Sequence, residues 1–181
     1  RDNMKPFIGI KQIWYGKTIT AAVTASSLKT WFATATEIKN SHQDTFQYTQ
    51  DDPNVTDYIN ELTGKPYYRD MTSEGNKTIA FTIGEYDFAT KAELQGGTVV
   101  KESTTEVGWA APETPGLVYK SIVGKTKTGN YVVFTNAGIV GKTNMAEKNM
   151  GLGVSAVAMD NPNEGVADEY WFDGEKVDAG A

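Results

Sequence analysis

Short runs of alternating apolar and polar residues, separated by glycine-containing turns, dominate the chain. In residues 77–84, Ile79, Phe81 and Ile83 would all point to one side. Successive side chains of a strand point to opposite faces, so this alternation predicts a half-buried strand. Similar runs rich in β-branched and aromatic residues predict strands over residues 7–15, 43–50, 65–71, 77–84, 97–102, 117–124, 130–140, 150–159 and 169–173.

Two short segments show helical spacing instead. In residues 28–38 the apolar positions recur on one helix face, and Ser26 or Ser27 can cap the N-terminus. Residues 87–94 begin with an aspartate and stop before Gly96, and both residue types are typical of those helix ends. The sequence therefore predicts a mainly β fold with one or two short helices.

The segment 54–63 has two interpretations. Its apolar residues follow the i, i+3, i+4, i+7 spacing of a helix that would end at Gly64. The same segment could instead belong to a long structured loop over 51–76, because the flanking residues are rich in turn formers. The positions that fit the helical spacing are Val55, Tyr58, Ile59 and Leu62.

No linker divides the chain. Its most loop-like stretches are 103–116 and 160–168, and both are shorter than a typical interdomain boundary. We therefore predict one β-rich domain over residues 1–181.

Composition and charge exclude several classes of protein. The 23 acidic and 17 basic residues give a formal charge of −6, which argues against tight electrostatic binding of nucleic acid. The absence of cysteine excludes disulfides and thiolate metal sites, and a single histidine excludes sites with two or three histidine ligands. No apolar run approaches the ~20 residues that a membrane-spanning helix needs.

The short motifs do not assemble a catalytic site. Gly-Lys-Thr begins at Gly16, Gly124 and Gly141, but none of the three has the earlier glycine of a phosphate-binding loop. Residues 151–156 match a loose dinucleotide pattern inside a strand-like run, so close packing against another strand is the simpler interpretation. The sequence predicts a protein that is not an enzyme and that has no catalytic residue, metal, cofactor or small-molecule substrate.

Three stretches in the middle and at the end of the chain resemble a known family. They read DTFQYTQDDPNVTDYINELTGKPYY, GNKTIAFTIGEYDFATKAELQGGTVV and GLGVSAVAMDN. Over residues 40–160, the order of these segments and their local sequences resemble those of tail tube proteins from tailed bacteriophages and prophages.

The resemblance implies both a fold and an assembly. Members of that family are β-sandwiches or partly open barrels with a flanking helix, and type VI secretion tube proteins are similar in fold. They stack as hexameric rings around a channel through which genomic DNA passes without sequence-specific binding. The resemblance implies a virion structural subunit, made in the bacterial cytoplasm and incorporated into the tail with copies of itself and other tail proteins.

Within that assembly, the segment 51–76 is our candidate for contact with a neighbouring subunit. It carries more apolar surface than a free loop usually has. The predicted inter-subunit contacts are Val55, Tyr58, Ile59, Tyr67 and Tyr68.

A second function from another class fits the same composition. A secreted or surface β-sandwich that binds carbohydrate or another subunit would also be rich in strands and aromatic residues. Such a module would need aromatic side chains exposed together on one concave face.

Overall fold

A computed structural model describes residues 3–179. Of the chain, 47% is strand and 12% is helix, and the sheets are antiparallel, so the predicted mainly β class is confirmed. The described residues form three helices rather than one or two: α1 (Ala25–Phe32), α2 (Phe88–Gln95) and α3 (Gly174–Ala179). The strands are β1 (Gln12–Gly16), β2 (Thr36–Glu37), β3 (Gln47–Gln50), β4 (Asn54–Asn60), β5 (Lys65–Ser73), β6 (Lys77–Ile83), β7 (Thr98–Glu102), β8 (Thr105–Ala110), β9 (Val118–Lys125), β10 (Tyr131–Ala146), β11 (Asn149–Ala158) and β12 (Glu169–Phe172).

Eight strands form one antiparallel sheet in the order β2-β1-β9-β10-β11-β6-β3, with β12 paired to β10. The long strand β10 organises this sheet, because its first part pairs with β9 and β12 and its later part pairs with β11. Its register with β9 shifts between Phe134 and Ala137, as at a β-bulge. The remaining strands form two separate hairpins, β4–β5 and β7–β8.

The main hydrophobic core lies on one face of the large sheet. The predicted alternation in β6 is confirmed, since Ile79, Phe81 and Ile83 are all buried. Ile13 of β1 joins the same apolar cluster although β1 and β6 are separated by three strands in the sheet. The sheet therefore curls until distant strands share one core.

A second apolar cluster covers the opposite face of the sheet. Leu28 of α1 and Val177 of α3 pack with Val133 of β10 in this cluster, and all three side chains are buried. Val133 and its neighbour Phe134 point to opposite faces, so β10 contributes to both clusters. Because both faces are covered here, every residue over 131–139 is buried, without the alternation of a half-exposed strand.

Helix α1 is shifted from its prediction. The cap is Thr24 rather than Ser26 or Ser27: its hydroxyl accepts the backbone N–H of Ser27 at 3.2 Å, and the Ser27 hydroxyl accepts the backbone N–H of Thr24 at 2.8 Å. This reciprocal pair fixes the start of the helix about one turn earlier than its apolar positions suggest. The helix also ends at Phe32, because Thr36 has joined β2.

Helix α2 confirms the prediction for 87–94. The Asp87 carboxylate accepts the backbone N–H of Thr90 at 2.7 Å and so caps the first turn. Gly96 ends the helix with a φ of 84°, a conformation that favours glycine.

Three other predictions need correction. Residues 54–63 are not helical, because 54–60 form β4. The stretch 103–116 is not a simple loop, because it contains β8. The predicted strand over 7–15 begins only at Gln12, whereas the loop over 160–168 is confirmed. The single-domain organisation stays a prediction.

Candidate functional site: an exposed hairpin

The five predicted contact residues all lie on the β4–β5 hairpin. Val55, Tyr58 and Ile59 are on β4, and Tyr67 and Tyr68 are on β5. All five side chains are exposed. The sequence therefore identified one continuous element. Its strand prediction for 65–71 is confirmed by β5, whereas 54–60 form a strand rather than a helix or a loop.

The connection between the two strands is a four-residue loop, Glu61-Leu62-Thr63-Gly64. The Asn60 carbonyl accepts the Gly64 N–H at 2.7 Å, and the Asn60 side-chain oxygen accepts the Leu62 N–H at 2.9 Å. Gly64 has a φ of 68°, which suits glycine in a tight turn. The glycine that we expected to end a helix therefore closes a hairpin.

The two faces of the hairpin carry different chemistry. On one face Tyr58 pairs with Tyr68, and their ring centroids are 5.7 Å apart. On the other face the Arg69 guanidinium donates two hydrogen bonds to the Asp57 carboxylate, at 2.6 and 3.2 Å. The hydrogen bond from Arg69 lowers the pKa of Asp57, so the carboxylate stays ionised.

A β-bulge interrupts the pairing beside the tyrosine pair. Tyr58 lies opposite Tyr68, but Ile59 lies opposite Pro66, so Tyr67 has no direct partner. The Tyr67 side chain is 70% exposed. Bulges redirect side chains, and this one leaves three tyrosines available on a single short hairpin.

The hairpin projects from the body of the protein. Within residues 3–179, neither β4 nor β5 makes more than marginal contact with any other helix or strand. Leu62 at the tip is 94% exposed, and Met71 on β5 is also exposed. Isolated two-stranded hairpins are only marginally stable in water, so a partner surface would stabilise this one.

Sequence reasoning missed Leu62 and Met71 as candidate contact residues. In the helical interpretation of 54–63, Leu62 is one of the apolar positions of the helix. The turn signal of Asn60 and Gly64, together with the strand-like residues on both sides, could have placed it at a hairpin tip.

The hairpin region is strongly acidic. Segment 51–76 contains six acidic residues and two basic ones, a formal charge of −4 in a chain of charge −6. The acidic residues are Asp51, Asp52, Asp57, Glu61, Asp70 and Glu74, and the basic ones are Lys65 and Arg69.

A second exposed feature is the outer face of strands β3, β6, β10 and β11. A shallow depression there is lined largely by small or uncharged side chains, including Gln47, Ala80, Thr82 and Ser155. The charged side chains that line it are Lys142 and Asp44. Within residues 3–179, β3 pairs with one strand only and so has one free edge.

The motifs that we set aside lie mainly in strands. Gly141 is within β10, and residues 151–156 are within β11. A Cβ atom added at Gly151 would lie only 2.6 Å from Cγ2 of Thr82 on the neighbouring strand β6. Close strand packing is therefore confirmed for residues 151–156. His42 Nε2 lies 3.7 Å from the Glu147 carboxylate.

No family model and no curated protein matches the chain. The part of the chain that the structure describes contains no cluster of three metal-ligating side chains. Among the described helices, none is both long and apolar enough to cross a membrane.

Proposed function

We propose that this protein is a structural subunit of a phage or prophage tail tube, assembled as stacked hexameric rings. The resemblance of residues 40–160 to tail tube proteins supports this proposal, as does the mainly β, antiparallel fold. The partly open barrel of that family is the finer architecture we propose for the curled eight-stranded sheet. The protein would be made in the bacterial cytoplasm and incorporated into the virion tail.

The observation that carries the proposal is the projecting β4–β5 hairpin. It exposes the paired Tyr58 and Tyr68 and the adjacent Ile59, away from the core of its own chain. An exposed apolar patch of this kind is typical of a surface that another protein covers. A neighbouring copy that buries the hairpin would give both faces the packing they lack in the single chain.

The outer face of β3, β6, β10 and β11 supports a role as a conduit. DNA passes most freely along a wall that holds few cations, because lysine and arginine bind phosphates. Lys142 is the cation in this depression, and the protein as a whole is acidic. The free edge of β3 would let a neighbouring sheet continue the wall of the channel.

Negative-stain electron microscopy of the concentrated, purified protein tests this function. We expect rings or tubes with a central channel, and sedimentation should show species heavier than the 19.7 kDa chain. A protein that stays monomeric at high concentration would contradict the proposal.

A secreted or surface binding or adhesion module is the second candidate. The paired Tyr58 and Tyr68 rings favour it, because adjacent exposed aromatic rings can form a platform for sugars. A monomer whose tyrosine fluorescence changes on titration with oligosaccharides would support this alternative. A tube subunit should show no such saturable change.

A further inference from the structure

The large sheet carries a cleft with two chambers beside the N-terminal segment. The apolar chamber has a volume of about 380 Å³, and the polar chamber has a volume of about 450 Å³. The two chambers share Gly9, Ile10 and Phe46 as lining residues, so they adjoin, and we refer to them together as the cleft. Aromatic side chains line the apolar chamber: Phe7, Phe46, Tyr48 and Trp171.

The walls of the apolar chamber are held by packing and hydrogen bonds. The rings of Phe7 and Trp171 have centroids 4.6 Å apart. One carboxylate oxygen of Glu169 accepts the Trp171 indole N–H at 2.6 Å, and the other accepts the Tyr48 hydroxyl at 2.6 Å. The chamber is therefore built from side chains whose orientations are fixed before anything binds.

The polar chamber is positively charged, unlike most of the protein. Lys11, Lys39 and Lys127 line it, with His42 and one carboxylate, that of Asp44. The Lys39 ammonium nitrogen lies 3.1 Å from a carboxylate oxygen of Glu37, a residue that does not line the chamber. Within residues 3–179, Lys11 and Lys127 have no carboxylate within 4.0 Å, so they can pair with an incoming anion.

The β4–β5 tip has the complementary chemistry. Leu62 is a fully projecting apolar side chain, and the adjacent Glu61 is an exposed carboxylate in a segment of formal charge −4. A strand of seven residues spans roughly 24 Å, so the tip of a projecting hairpin can reach a neighbouring molecule. Complementary charge favours the correct partner and speeds the encounter.

We infer that this cleft receives the β4–β5 tip of a second copy of the chain. Leu62 of one copy enters the aromatic chamber, and Glu61 pairs with Lys11 and Lys127 of the next. The inference rests on the proposed function and names the surface to which the hairpin binds. Because hairpin and cleft are different surfaces, the contact is heterologous and propagates from copy to copy as a ring or a stack.

Cross-linking between single-cysteine variants tests the contact, since the natural chain has no cysteine. Thr63→Cys, which keeps Glu61 and Leu62 at the tip, is mixed with a differently tagged Gln43→Cys, whose exposed side chain lines the polar chamber. A matched control replaces the cleft variant with Glu164→Cys, in the exposed loop over 160–168. We expect the first mixture to give about tenfold more disulfide heterodimer than the control, because complementary surfaces bind selectively.

Charge exchange provides the second measurement. Glu61→Lys alone and Lys11→Glu/Lys127→Glu alone should each reduce assembly about tenfold, because like charges then meet. A mixture of these two variants should restore the contact. If either charge variant loses the circular dichroism signal of the folded protein, it has unfolded and does not report on the contact. The cross-linking experiment with the two cysteine variants then decides whether the contact forms.

The outcomes separate this inference from the proposed function. Tubes that form without a preferred disulfide between the Thr63→Cys and Gln43→Cys variants would overturn the hairpin-to-cleft contact and leave the tube proposal intact. Selective disulfides in a protein that forms neither rings nor tubes would support the contact and overturn the tube.

Discussion

Tyr58 and Tyr68 lie directly opposite each other on β4 and β5, with ring centroids 5.7 Å apart, yet both side chains remain exposed. Cross-strand aromatic pairs stabilise a hairpin by roughly 0.2–1 kcal/mol. The pair therefore helps the hairpin to keep its shape while its outer surface stays available for a partner.

Acidic substitutions on this hairpin should separate folding from assembly. In Tyr58→Asp/Ile59→Asp, we expect an unchanged core but loss of rings and tubes, because a charge is costly only when an interface buries it. Thermal unfolding followed by circular dichroism reports the folding, and negative-stain microscopy reports the assembly. The matched control Tyr58→Phe/Ile59→Val should still assemble. Tubes formed by the acidic variant, or its global unfolding, would contradict the role of the hairpin.

Truncation of two neighbouring side chains on β10 should have very different effects on stability. Ile139 is 0% exposed in the main core, whereas Val140 is 49% exposed on the other face. We expect Ile139→Ala to lower the free energy of unfolding by about 2–5 kcal/mol, since it leaves a cavity. Val140→Ala should change it by less than about 0.5 kcal/mol. Urea denaturation measures both, and equal losses would show that the face assignment is wrong.

Gly141 should resist replacement because α2 packs directly on it. A Cβ atom there would lie 2.7 Å from the Leu94 carbonyl oxygen and 2.8 Å from the Gln95 Cα. We expect Gly141→Ala to reduce the free energy of unfolding by about 1–3 kcal/mol, as overpacking usually does. At Gly116 a new Cβ meets no atom within 4 Å, so Gly116→Ala is the control. If urea denaturation shows the same free energy of unfolding for Gly141→Ala as for the wild type, this packing is contradicted.

The cap of α2 should make stability depend on pH. The backbone N–H of Thr90 donates to the Asp87 carboxylate and lowers the pKa of Asp87. A lowered pKa in the folded state means that the contribution is present above the ordinary aspartate pKa and is lost as pH falls through the lowered value.

Variants at Asp87 measure this contribution. We expect Asp87→Ala to cost about 1 kcal/mol at neutral pH, and Asp87→Asn to retain most of the cap. The difference in unfolding free energy between wild type and Asp87→Asn should shrink or reverse from about pH 5 to pH 2. A pH-independent difference would contradict an ionised cap.

The sequence predicted elements well where the signal is local. The alternation of Ile79, Phe81 and Ile83 specified a half-buried strand because the period of a strand places all three on one face. Asp87 and Gly96 marked the ends of α2 because capping involves only neighbouring residues. Strand β10 extended beyond its predicted end at residue 140, because pairing with β11 continues to Ala146.

The error in 54–63 has a definite physical cause. Apolar residues at 55, 58, 59 and 62 satisfy helical spacing, so periodicity alone favoured a helix. The competing partner, Lys65–Ser73, pairs with β4 across a four-residue loop and supplies backbone hydrogen bonds that a spacing pattern cannot represent. The candidate contact residues were nevertheless found, because their apolar character does not depend on the element that carries them.

The sequence by itself determined the mainly β class, the position of most strands and the concentration of apolar residues in 51–76. These follow from side-chain chemistry and from periods of two or 3.6 residues along the chain. Only the tertiary structure decided that Leu62 projects into solvent while Leu28 is buried. It also decided that Phe7, Phe46 and Trp171 meet in one chamber. Both outcomes depend on contacts between residues far apart in the chain, and the curvature of the sheet sets those contacts.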